Sequence, residues 1–260
     1  CSAEYGPTSS HPHPRWSATA VDKGLRVTWQ KPAFTAGSAI ESYVVTVGGL
    51  SATVSVDPSD PAGTSYSRTI TNASLVNGSA VPYTVSARNR APNSLATWNE
   101  AGGTATPAGA PISVVAPTAI ASTTDGTSAT VSWPGAFEGN GRAITTYYVA
   151  VHTGAAPTCT VTGVDAGAPV LTPPTGSGVQ TVGAPGTTAT FGGLTPNTSY
   201  TFTVFAYNGQ GCTASAPVVA TPRAAPGNVA IQPADVSGLI DRGDGRWDYQ
   251  LTGLSIPSGS

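Results

Sequence analysis

One stretch constrains the fold more than any other: Leu194-Thr195-Pro196-Asn197-Thr198-Ser199-Tyr200-Thr201-Phe202-Thr203-Val204-Phe205-Ala206-Tyr207-Asn208. Tyr200, Phe202, Val204 and Ala206 fall at every second position, the period of a β-strand with one buried face. The pattern occurs twice. Leu75-Val76-Asn77-Gly78-Ser79-Ala80-Val81-Pro82-Tyr83-Thr84-Val85-Ser86-Ala87-Arg88-Asn89 aligns with it without a gap, 119 residues earlier. Leu25-Arg26-Val27-Thr28-Trp29 likewise aligns with Ala129-Thr130-Val131-Ser132-Trp133, and Ile40 with Tyr43 aligns with Ile144 with Tyr147, both at an offset of 104. A duplicated set of strands at this spacing predicts two domains of similar build. The 15-residue difference between the offsets predicts extra chain in the second copy, in the Gly/Pro-rich stretch 153–189.

Composition agrees with strands. No long apolar segment has a helical period, Thr, Ser, Val and Ala abound, and 31 Gly and 23 Pro punctuate the chain with turns. The fold class expected is all-β. Charged residues make up only 9% and the net charge is −2. That argues against an electrostatic nucleic-acid binder, which needs a basic stripe. No run approaches the roughly 20 apolar residues of a membrane-spanning helix.

Catalytic and metal chemistry find no foothold. There are three His, none in a motif, and no GxSxG, HExxH or P-loop occurs. Asp57 and Asp60 sit in Val56-Asp57-Pro58-Ser59-Asp60-Pro61, which reads as a turn rather than a carboxylate pair. Without CxxC or a Cys/His cluster, zinc is not expected. The chain is read as a non-enzyme with no catalytic, cofactor-binding or metal-ligating residues and no cofactor.

With Leu-x-Pro-x-Thr-x-Tyr at Leu194–Tyr200, the B-strand Trp29 and Trp133 and the C-strand Tyr43 and Tyr147, the chain resembles tandem fibronectin type III domains. The resemblance covers roughly 11–107 and 112–222. It implies Greek-key β-sandwiches joined by short Pro-rich hinges, Thr106–Pro111 and Thr221–Pro226. It also implies that the Tyr200 hydroxyl bonds back to nearby backbone. The first copy has Val81 at that position and Asn77 in place of Pro196, so its corner is expected to be less well pinned unless Tyr83 takes over. The domains expected are residues 1–10 as a G strand of a preceding sandwich, 11–107 and 108–222 as complete sandwiches, and 223–260 as strands A and B (228–231 and 247–251) of an incomplete one. The ends are expected to pair with further domains of a longer chain, or with neighbouring subunits by strand addition. Asn208–Ser215 further resembles long secreted actinobacterial surface proteins built from such repeats.

The odd cysteine count leaves at least one without an internal partner. In a simple sandwich Cys159 and Cys212 follow turns at opposite ends, which disfavours a bond. The insertion reopens the possibility by rerouting Cys159, and both readings stand at this point. Cys1 reads either as half of a disulfide to a preceding segment or as a lipidated N-terminus. Arg242-Gly243-Asp244 reads as a turn or as an adhesion motif. Asp241, Asp244 and Asp248 lack calcium-loop spacing. His11 and His13 read as a polar linker. Asn72, Asn77 and Asn197 fit the N-glycosylation pattern, but a corner turn accounts for the last two. Trp16 and Trp247 read as strand packing, and Trp98 is the candidate surface aromatic for cell-wall or surface glycans. The expected function is a structural or adhesive repeat protein at a bacterial surface, acting as a rod, spacer or filament subunit. Accessory modules of a polysaccharide-degrading enzyme are the alternative.

Overall fold

The computed structural model describes residues 16–32, 39–89, 98–122, 126–164, 169–176, 178–223, 236–241, 243 and 247–251, and every regular element among them is a β-strand. The first sandwich comprises β1 (Trp16–Val21), β2 (Gly24–Gln30), β3 (Ile40–Val47), β4 (Leu50–Ser55), β5 (Ser65–Thr71), β6 (Val81–Asn89) and β7 (Trp98–Ala105). One antiparallel sheet has the order β1-β2-β5 and the other β4-β3-β6-β7. Alternation sets what faces inward. Leu25, Val27 and Trp29 of β2 meet Tyr43, Val45 and Val47 of β3 in one core. Each such aliphatic burial contributes about 1.5–3 kcal/mol. Trp29 and Tyr43 pack edge to face with centroids 5.3 Å apart. The β3–β4 turn is Gly48-Gly49, at φ 55° and 86°, the two left-handed positions a tight hairpin requires.

The second sandwich repeats the plan. Its strands are β8 (Ile112–Ser113), β9 (Thr118–Ala121), β10 (Ala129–Ser132), β11 (Phe137–Glu138), β12 (Thr146–His152), β13 (Thr160–Thr162), β14 (Val170–Thr172), β15 (Val179–Gly183), β16 (Thr188–Phe191), β17 (Tyr200–Tyr207), β18 (Cys212–Ala214) and β19 (Val218–Ala220). The sheets run β16-β10-β9 and β15-β12-β17, with β18 and β19 both paired to β17. Trp133 and Tyr147 repeat the aromatic pair at 5.4 Å. Val131, Val149, Phe202 and Val204 fill a core that shares no residue with the first.

The insertion alters this second copy. The two-residue β3–β4 turn has as its counterpart the segment 153–178, which carries the two-stranded ribbon β13–β14. Ala150, Thr203 and Phe205 point away from the core, yet all three are buried. Cys212 shares their face, because it pairs with Tyr207 in the register of β17 and β18. A disulfide joins it to Cys159, with Cα atoms 5.9 Å apart. The inserted arm leaves β12 at His152 and is stapled at Cys159 beyond β17, so it crosses this outer face as a third layer. His152 secures its start, with Nδ1 at 2.7 Å from Gly154 O and Nε2 at 3.1 Å from Thr203 Oγ1. In the first sandwich the equivalent residues Val44, Thr46, Thr84 and Ser86 are only half-buried.

Beyond the second sandwich, β20 (Val236–Asp241) pairs antiparallel with β21 (Trp247–Leu251). The strand expected at 228–231 lies outside the described residues, as do residues 1–10.

Candidate functional site

Among the described residues, several polar side chains converge where one sandwich meets the next. The connection Pro107-Ala108-Gly109 is buried; Pro107 is among the least exposed residues of the chain and Ala108 is 2% exposed. A buried connection must satisfy its backbone groups, and four of those in 107–109 are taken by one or other of the two sandwiches. Gly78 N donates to Pro107 O at 2.9 Å, and Ala108 N donates to Val21 O at 3.3 Å. Gly109 N donates to Asn140 O at 3.0 Å. The Asn208 side-chain amide donates to Gly109 O at 2.8 Å, and that of Asn140 to Ala110 O at 2.9 Å.

Three asparagines carry the joint. Asn77 sits at the β5–β6 corner of the first sandwich. Its Oδ1 accepts from Lys23 N at 2.8 Å, while its Nδ2 donates to Asp22 Oδ1 at 2.7 Å and to Asn140 Oδ1 of the second sandwich at 2.9 Å. Asn140 adopts φ 52°, a left-handed position that asparagine tolerates. Asn208, at the end of β17, is 1% exposed. Besides Gly109 O it donates to Gly139 O at 2.7 Å, and its Oδ1 accepts from the N–H groups of Gln210 and Gly211 at 2.9 and 3.0 Å. A buried amide left unmet costs about 1–3 kcal/mol; here donors and acceptor are all engaged. In the orientation that satisfies its own amide, Gln210 donates to Ala20 O at 3.3 Å and accepts from Arg142 Nη1 at 3.1 Å.

Glycines make the approach close enough. A methyl on Gly109 would overlap Asp22 Oδ1 and stand 2.5 Å from Asn140 Nδ2. One on Gly141, at φ 90°, would stand 2.5 Å from Gly78 N and 2.6 Å from Pro107 O. The sandwiches therefore meet backbone against backbone. What the arrangement can do is hold two domains in one orientation.

The second sandwich carries the corner expected of it. The Tyr200 hydroxyl accepts from Thr195 N–H at 3.0 Å, a bond that lowers the hydroxyl pKa from its ordinary value. The first sandwich corrects the expectation of a weakly pinned corner at Val81. Tyr83 is buried in the core, and the Asn77 amide ties the corner to Asp22 and Lys23. Asn77 Nδ2, the glycan acceptor atom of its sequence pattern, is spent on these bonds.

The remaining predicted residues are dispersed. Arg242 and Asp244 lie outside the described residues; Gly243 between them is exposed, at φ 74°, in the β20–β21 connection. Trp98 opens β7 opposite Ala87, and its side chain lies outside the description. Cys1, His11 and His13 also lie outside it. Trp16 packs against the first core. Asp57 and Asp60 belong to a locked turn. Asp57 Oδ1 accepts from Ser59 N and Oγ, Asp60 Oδ2 accepts from Tyr66 Oη at 2.6 Å, and buried Lys31 donates Nζ to Asp60 O at 2.5 Å. Among the described residues no group of three His, Cys, Asp or Glu is placed to hold a metal ion. The joint itself escaped the sequence reading, although Asn89 and Asn208 stand at the same place in both copies.

No curated protein matches the sequence. Among solved structures, the FN1–FN3 domains of chicken CNTN1 are similar at 15% identity and a TM-score of 0.38, over 80% of this chain and 66% of that one. A two-domain fibronectin type III segment of chicken tenascin is similar at 18% identity and a TM-score of 0.28, over 80% and 97%. The family model of the fibronectin type III domain matches residues 115–221, so the second sandwich is the part of this all-β chain that the family accounts for.

Proposed function

We propose that the protein is a non-enzymatic extracellular repeat protein of structural or adhesive role, a rod, spacer or filament subunit at a bacterial surface. The observation that carries this reading is the buried, hydrogen-bonded connection 107–109. A chain that only tethers a catalytic domain needs reach, and an exposed Gly/Ser- or Pro-rich linker supplies it. Here Pro107 O, Ala108 N, Gly109 N and Gly109 O are instead committed to fixing one sandwich on the next, which is what a spacing element requires. The disulfide of the second sandwich suits an oxidising compartment outside the cytoplasm. Partners on this reading are further sandwiches of the same kind and surface glycans. Protease shaving and antibody labelling of intact source cells test it. Surface label that shaving removes is expected; protein recovered only from the cytoplasm, or released with a fused glycoside hydrolase, overturns it.

A second reading is adhesion through Arg242-Gly243-Asp244, favoured by the exposed, left-handed turn at Gly243. Asp244→Glu keeps the charge and displaces it, so integrin-dependent attachment of cells to immobilised protein should be lost. Unchanged attachment removes this reading.

A further inference from the structure

The two sandwiches end in the same backbone arrangement. Gly78 and Asn197 occupy equivalent corner positions, at φ 85° and 61°. Each donates its N–H to the proline that ends its domain, Gly78 to Pro107 at 2.9 Å and Asn197 to Pro222 at 2.7 Å. The next residue then donates at the far end of the equivalent strands β1 and β9, Ala108 to Val21, the last residue of β1, and Arg223 to Ser122, the residue after β9, both at 3.3 Å. The main chain thus leaves both sandwiches along one path, and that part of the joint carries no information about which domain follows.

The side chains at the corner differ. In the second sandwich Tyr200 supplies the bond that secures the corner from within, and Pro196 has no donor to offer a neighbour. In the first, Val81 supplies none. Asn77, at the position of Pro196, secures the corner through Lys23 and Asp22 and has one amide hydrogen left for Asn140 across the joint. Asn140 is matched to it: its Oδ1 accepts from Asn77, its backbone O from Gly109, and its Nδ2 is donated to Ala110 O.

We propose that the corner residue is the specificity determinant of the joint. Asn77 makes the end of the first sandwich an interaction surface that selects a following sandwich bearing an asparagine at the place of Asn140. A corner of the Pro196/Tyr200 type keeps the common exit path and omits that selection. The order of domains along the chain is then encoded by which of two ways a corner is pinned, inwardly by tyrosine or across the joint by asparagine. This deepens the reading of the joint as an orienting element and rests on it.

The test exchanges corners in the full chain. Spin labels on Arg68→Cys and Thr188→Cys, in a Cys1→Ser background with the disulfide intact, report the distance distribution between the two sandwiches. Asn77→Pro with Val81→Tyr gives the first sandwich the second one's corner. The expected result is an unchanged first-sandwich core, read by Trp29 fluorescence, with loss of the narrow distance distribution. A narrow distribution retained by this variant overturns the proposal. If the exchanged corner impairs folding, Asn140→Gly, which keeps the left-handed φ of 52° without strain, probes the same contact from the other side and leaves the first sandwich untouched; the distribution should broaden, and failure to broaden again overturns the proposal. Gly109→Ala separates the two levels. Should it release the sandwiches while both corner variants leave them fixed, the joint still orients the domains but Asn77 does not select.

Discussion

Replacing Gly109 by alanine probes the joint with the smallest possible change. Gly109 has no left-handed φ, so the substitution introduces no backbone strain of its own. Its methyl group instead meets Asp22 Oδ1 and Asn140 Nδ2, and both atoms are held by Asn77 or Ala110 through hydrogen bonds. Moving the sandwiches apart relieves the overlap but gives up the bonds from Gly109 N to Asn140 O, from Asn208 to Gly109 O, from Asn77 to Asn140 and from Asn140 to Ala110. At about 0.5–1.5 kcal/mol each, four such bonds amount to about 2–6 kcal/mol. The reduced freedom of the unfolded chain returns about 0.4–1 kcal/mol. The net loss of coupling between the sandwiches is then about 1–5.5 kcal/mol. Urea titration followed by tryptophan fluorescence should show a lower midpoint, and limited proteolysis should cut at 106–111 where the parent chain resists. An unchanged midpoint with an equally resistant connection would refute the argument, because the methyl group would then have been absorbed without opening the joint.

Three further outcomes follow from other parts of the structure. Replacing both Cys159 and Cys212 by alanine opens a loop of 53 residues, which the chain-entropy account values at about 4 kcal/mol; denaturation of the second sandwich measures it, and hydrogen exchange should rise over 153–178 and around Phe205 while the core strands stay protected. Burial pushes the Tyr43 hydroxyl up to about 12 from 10.0. Because the folded value is the higher, this contribution to stability is complete below pH 10 and is lost as pH climbs toward 12, by about 2–3 kcal/mol. Tyr43 Oη finds no hydrogen-bond partner among the described residues, so Tyr43→Phe should leave neutral-pH stability unchanged or raised and flatten the alkaline decline in urea midpoint; a large loss at pH 7 contradicts that. Tyr200→Phe removes the bond to Thr195 N–H, and faster amide exchange at Thr195, with the Trp133 environment unaltered, is the expected readout.

Much of the fold was legible because its causes are local and periodic. The two-residue alternation at Tyr200–Ala206 and its copy identify strands with one dry face, and Trp29 with Tyr43 and Trp133 with Tyr147 mark equivalent points of two cores. The 15-residue discrepancy locates the inserted arm. Its role was not legible, since nothing in the alternation of β17 says that its outer face at Thr203 and Phe205 is also covered. The joint was hidden for a different reason. Asp22, Asn77, Gly109, Asn140 and Asn208 are scattered along the chain, and each has an ordinary local reading as a turn, a corner or a linker. Only when the sandwiches are placed end to end do their amides meet. Val81 shows the same limit: it signals correctly that a tyrosine corner is missing, but not that Asn77 replaces it with bonds to Lys23 and Asp22.

The central claim is that the joint fixes the two sandwiches in one orientation, and residual dipolar couplings of the full chain in a weakly aligning medium measure this directly. If the joint holds, the amides of β1–β7 and of β8–β19 fit a single alignment tensor with the magnitude and rhombicity of one rigid body. Two tensors of clearly different magnitude, each fitting only its own sandwich, would show domains that reorient independently and would contradict the account.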